Sequence, residues 1–158
     1  MITVLDIETT FTKEGDPSPF NPDNRLVSVG INDEYYFFYH DEEIKKDLTE
    51  SKKAIQDILD KSNLVVGHNL KFDMSWLYQC GFTYKGKLYD TMLGEYIINR
   101  GEKKSVSLKE SCKRRGISLK SDILATYMSE GYGIHQIPMS KLEEYGKQDV
   151  KITKELYE

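Results

Sequence analysis

Residues 1–10 of the chain read MITVLDIETT. The opening run, MITVL, is rich in strand-forming residues, so a first β-strand is expected here. Side chains alternate faces along a strand, so Asp6 and Glu8, separated by Ile7, point the same way. Two carboxylates side by side on one face of a core strand repel each other and lose hydration. A divalent cation removes that difficulty: Mg²⁺ takes oxygen ligands, and carboxylates converging on it exchange repulsion for attraction.

The rest of the sequence sets bounds on that reading. The chain has 158 residues, enough for one domain with a proper core. Charged residues are 30% and hydrophobic ones 39%, a balance that excludes a disordered chain. No apolar run approaches the roughly 20 residues that span a bilayer, and no basic-then-apolar leader opens the sequence. Cys80 and Cys112 lack metal-type spacing and are expected to be reduced, packed thiols in a cytoplasmic protein. The net charge is −4, a weak argument against a nucleic-acid partner. Between Arg100 and Lys120, however, eight basic residues face two acids. That segment is either a contact for a nucleic-acid strand or a solvated helix face.

Along the chain, RLVSVGI and EYYFFYH are two more strands joined by INDE as an antiparallel hairpin. Before them, residues 11–24 hold three of the four prolines and form a long loop. Helical spacing runs from about Asp47 to Lys61. NLVVGH is a short strand leading into the helix NLKFDMSWLYQCG, closed at Gly81. YDTMLGEYIIN, SLKESCKRRG (capped by Ser107) and KSDILATYMSEG are further helices, and a last helix starts at about Ser140. This order predicts an α/β domain with a mixed sheet.

Four acids then come together as candidates: Asp6 and Glu8 on the first strand, Asp73 early in a helix, Asp149 on the final helix. LDIETT, VVGHNLKFD and YGKQDV resemble, in order, the three motifs of the DEDD superfamily of 3′→5′ exonucleases: D-x-E, N-x-x-x-D and Y-x-x-x-D. LYDTMLGEYIINR further resembles the helix after the second motif in the proofreading domain of family A DNA polymerases. The resemblance implies an RNase H-like α/β fold, a five-stranded mixed sheet whose first three strands are antiparallel, flanked by helices. It implies a pair of divalent ions, Mg²⁺ or Mn²⁺, held by Asp6, Glu8, Asp73 and Asp149, with Asp73 acting largely through water. Asn69 matches the motif asparagine and is expected to contact the terminal nucleotide. Thr9 and Thr10 offer further contacts, and Phe11 is either a wedge against the terminal base or simple packing. Tyr145, four residues before Asp149, faces the same side of one helix. With a phenol pKa of about 10 it is a poor base at neutral pH, so orienting the attacking water is its expected role.

The histidines do not fit the alternative form of the third motif. His135 lies fourteen positions before Asp149, His68 is expected to make a structural hydrogen bond, and His40 to end a strand. The implied activity is hydrolysis of DNA from unpaired 3′ ends, releasing nucleoside 5′-monophosphates. Its natural context is proofreading, with residues 1–158 the N-terminal part of a longer polymerase chain; a bacteriophage enzyme is one such context. Two alternatives stay open. One is an RNase D-like exoribonuclease. The other is a nucleic-acid-binding module with its chemistry lost, against which the complete set of four acids stands.

Overall fold

The computed structural model describes residues 1–98, 105–115 and 123–158. Its centre is a five-stranded sheet of order β3-β2-β1-β4-β5. The strands are β1 (Ile2–Thr9), β2 (Leu26–Ile31), β3 (Glu34–Phe37), β4 (Leu64–Gly67) and β5 (Lys87–Asp90). β1, β2 and β3 pair antiparallel, whereas β4 and β5 run parallel to β1. The expected mixed sheet with three antiparallel strands is therefore the observed one.

Six α-helices flank it among the described residues: α1 (Leu48–Lys61), α2 (Leu70–Gln79), α3 (Thr91–Ile98), α4 (Leu108–Arg115), α5 (Ile123–Ser129) and α6 (Met139–Tyr157). Leu5 and Ile7 on β1 join Ile55 and Leu59 of α1 and Leu70, Met74 and Leu77 of α2 in the main core. Fully burying a side chain of this size stabilises by about 1.5–3 kcal/mol. The opposite face of β1 meets α6: Val4 packs with Val66 of β4 and Val150. The alternation that buries Leu5 and Ile7 on one face thus turns Asp6 and Glu8 toward α6 on the other.

Local signals account for most boundaries. Asp47 caps α1, its carboxylate accepting from the amides of Thr49 and Glu50. Ser107 accepts from the amide of Glu110 at the start of α4. The expected end of α4 at Gly116 lies outside the described residues, as does the start of the KSDILATYMSEG helix. Two sequence readings are corrected. EYYFFYH is a strand only over Glu34–Phe37, because Phe38 and Tyr39 leave the ladder to bond the carbonyl of Val27. Tyr89 and Asp90 do not begin the DTML helix but end β5. Asp90 accepts from the amides of Asn69, Leu70 and Met92, so it caps α2 and α3 from the strand end. β5 is an exposed edge without an apolar run, which hides it from periodicity.

Candidate metal centre

The final helix decides where the acids meet. Asp6, Glu8 and Asp149 each bring a carboxylate oxygen to within 4.8 Å of the others. The first two come from β1 and the third from α6, seated by the Val4–Val66–Val150 contact. Asp73, in the first turn of α2, lies outside that group but next to it. It is 3% exposed, and its Oδ2 has no hydrogen-bond partner. Burial raises its pKa well above the ordinary carboxylate value, and the charges of Asp6, Glu8 and Asp90 push the same way. Burial, then the neighbouring Glu8, raises Asp6 likewise, opposed in part by the backbone amide of Ile7.

These residues fit divalent cations on two grounds. The donors are all carboxylate oxygens, the hard ligands that Mg²⁺ and Mn²⁺ take. A buried carboxylate oxygen with no donor, among like charges, is costly unless a cation compensates it.

An apolar slot of about 420 Å³ opens beside the acids, lined by Glu8, Thr9, Phe11, Phe72, Met128 and Tyr145 among others. Thr9 follows an irregularity in the β1–β2 register between Glu8 and Thr9, which re-aims the strand end. Phe11 is 39% exposed on the slot wall. Thr10 instead takes the amide of Arg25 on its hydroxyl, closing the base of the proline-rich loop. Asn69 does not share this slot. It starts α2 in the left-handed region (φ 60°), is exposed, and lines a second slot across Phe72.

The remaining expectations sort cleanly. His68 Nε2 donates to the carbonyl of Val106 and Nδ1 pairs with the Thr91 hydroxyl, the structural role expected. His40, past the end of β3, bonds the carbonyl of Ile137. Cys112 is a buried free thiol with its pKa pushed up to about 11, first by burial. In the basic segment, Arg114 and Arg115 are engaged by the buried Glu95, and Lys113 by Glu110. Arg100, Lys103, Lys104 and Lys120 lie outside the described residues.

Sequence reasoning missed Tyr35. Its hydroxyl lies 2.7 Å from Ser28 Oγ, and Ser28 stands opposite Glu8 in the sheet. Its ring fills the space left by two glycines. A Cβ on Gly146 of α6 would lie 2.4 Å from that ring, and one on Gly30 would lie 3.0 Å from Val150 and 3.3 Å from Tyr35. The ring therefore sets how closely α6 approaches β2 between Tyr145 and Asp149. The available signal was Gly146 itself, since a glycine inside a helix costs about 1 kcal/mol and marks a close approach.

A family model described as 3′-5′ exonuclease matches residues 11–158. The chain belongs to the 3′-5′ exonuclease family. The matched range starts beyond Asp6 and Glu8, so their place in this exonuclease rests on the geometry above. Solved structures similar to the exonuclease domain share its fold. Brucella melitensis NrnC bound to pGG is 21% identical with a TM-score of 0.62, over 99% of this chain and 69% of that one. A structure described as the apo form of the nuclease gives 15% and 0.65, over 99% and 69%. The family B DNA polymerase of the hyperthermophilic archaeon Pyrobaculum calidifontis gives 17% and 0.64, over 98% of this chain but 24% of the polymerase. No curated protein sequence matches the exonuclease. Among its described residues, no helix is long and apolar enough to cross a membrane.

Proposed function

We propose that this exonuclease hydrolyses DNA from unpaired 3′ ends and releases nucleoside 5′-monophosphates, using two divalent ions held by Asp6, Glu8, Asp73 and Asp149. The observation that carries the proposal is the convergence of three carboxylates within 4.8 Å beside a slot shared by Thr9 and Tyr145. Divalent cations bound there supply charge neutralisation at phosphorus and a more acidic water. The chain's own groups do the rest. Thr9 and the apolar walls hold the terminal nucleotide, Asn69 meets the strand across Phe72, and Tyr145 orients the attacking water. A site assembled between a strand end and two helices takes a splayed nucleotide more readily than a paired one, because unpairing costs a few kcal/mol.

Proofreading within a longer polymerase chain is the context this reading favours; a covalently linked polymerase domain would be the partner. The experiment is a digest of 3′-matched, 3′-mismatched and circular DNA with Mg²⁺, with Mn²⁺ and with chelator, beside RNA of the same sequence. Faster cleavage of mismatched ends, an intact circle and silence in chelator are expected. Equal rates on matched and mismatched ends would sink the unpaired-end reading. The second reading is an exoribonuclease, favoured by the fold shared with NrnC bound to pGG. Preference for the RNA strand in the same digest would select that reading.

A further inference from the structure

The proline-rich loop is pinned rather than loose. The Trp76 indole donates to the carbonyl of Pro17 at 2.9 Å. The Asn24 side chain donates to the carbonyls of Asp16 and Ser18 at 2.9 and 3.0 Å. The amide of Phe20 donates to Ser18 Oγ at 3.2 Å. Yet the loop presents Phe20 76% exposed, the most exposed aromatic ring among the described residues. Ordering a loop and then leaving one of its two phenylalanines in water is a cost with no return inside the fold.

The ring overlooks the second slot, of about 360 Å³, lined also by Pro19, Asn69 and Lys71. That volume falls in the range of small-molecule sites, roughly 300–1,000 Å³. Pro17 and Phe72 line both this slot and the one beside the acids, so the two are neighbours sharing a wall. A strand whose terminal base fills the first slot brings its next base to the second. Lys71 stands there as a cation for the connecting phosphate, and two aromatic rings and two prolines offer flat apolar surface for a base of any identity.

We propose that Phe20 is a stacking platform for the penultimate nucleobase, with Lys71 neutralising an adjacent phosphate. This rests on the single-strand substrate argued under Proposed function, and it adds a binding subsite built by the loop. Stacking on one aromatic contributes about 1–3 kcal/mol per base, which corresponds to about a 5- to 150-fold change in affinity. Phe20 is exposed, so its replacement leaves the core untouched.

The test is equilibrium binding, with Mg²⁺, of single-stranded DNA whose terminal linkage is a non-hydrolysable phosphonate. One version carries 2-aminopurine at the penultimate position and another an abasic residue there. Wild type is expected to quench the 2-aminopurine and to bind the abasic strand at least 5-fold more weakly than the intact one. Phe20→Ala is expected to lose the quench, weaken the intact strand by the same factor and be indifferent to the abasic residue. Phe20→Trp is expected to restore binding. Unchanged affinity of Phe20→Ala for the intact strand, or an equal loss on intact and abasic strands, overturns the proposal. So does a protein fragment or second chain protecting Phe20 while strands do not. Hydrolysis is scored separately on ordinary strands. Phe20-dependent binding without hydrolysis fails the exonuclease reading alone, and hydrolysis without Phe20-dependent binding fails this one alone.

Discussion

Two buried carboxylates in this molecule, each 3% exposed, meet opposite fates. Glu95 on α3 receives Arg115 Nε at 2.8 Å and an Arg114 guanidinium nitrogen at 3.3 Å. Burial pushes its pKa up, but the hydrogen bonds and charges of the two arginines more than offset this and hold it below the ordinary value. Asp73 on α2 has no cation among its described neighbours; burial first, and then the charges of Asp6, Glu8 and Asp90, raise its pKa. Among the described residues the fold brings two arginines to one buried acid and three more acids to the other, which is the environment the proposed cations would relieve. The same physics makes one acid a structural tie and the other a candidate for the proposed site.

The largest expected effect breaks the comparison at the acid cluster. Asp6→Ala with Glu8→Ala is expected to reduce hydrolysis below detection and to remove most of the rise in melting temperature that Mg²⁺ or Mn²⁺ produces. That rise corresponds to about 2.7 kcal/mol at 100 Kd. In chelator the double variant is expected to be at least as stable as wild type; clear destabilisation would make these carboxylates structural, as Glu95 is. Next, Tyr145→Phe is expected to slow single-turnover hydrolysis about 10²–10⁴-fold while leaving the metal-induced melting shift in place. A wild-type rate would remove the tyrosine from the site.

At the compensated end, Glu95→Gln is expected to cost about 2 kcal/mol, the scale of hydrogen bonds to charged groups, without changing the metal-induced shift. A loss of metal response would join the two clusters. Titration sharpens the contrast because the signs oppose. Asp73 has a raised folded pKa, so its contribution is present below its unfolded value of about 4 and lost as pH rises through the folded one. Glu95 has a lowered folded pKa, so its contribution is present above about 4.3 and lost as pH falls through the folded value. Melting in chelator across this range is expected to gain stability above pH 4 on Asp73→Asn and to lose it on Glu95→Gln. Equal pH profiles for both variants would erase the distinction. The smallest effect belongs to Tyr35→Phe, which removes the bond to Ser28 and is expected to cost about 1 kcal/mol; chemical denaturation with the slope unchanged measures it.

Much of this was legible in the residues. The alternation in MITVLDIETT places Leu5 and Ile7 in the core and Asp6 and Glu8 on the far face, because a strand has period two. Ser107 announces its helix because a side-chain oxygen can satisfy amides next to it in the chain. The spacing of Tyr145 and Asp149 puts them on one side of α6 before any contact is known. Such inferences need only neighbours in sequence, and the chain carries those by itself. What tertiary structure alone decided depends on residues far apart. β5 escaped because an exposed edge strand has no periodic signature, and Asp90 caps α2 from 21 and 20 residues away. Arg114 and Arg115 of the basic segment reach a buried glutamate, which no local pattern encodes. Tyr35 matters only because α6 returns over β2 and needs glycines at Gly30 and Gly146 to do so. Charge compensation and close packing are properties of pairs that folding brings together, so the sequence names Glu95 and Asp73 alike, and only the fold gives Glu95 two arginines and surrounds Asp73 with other acids.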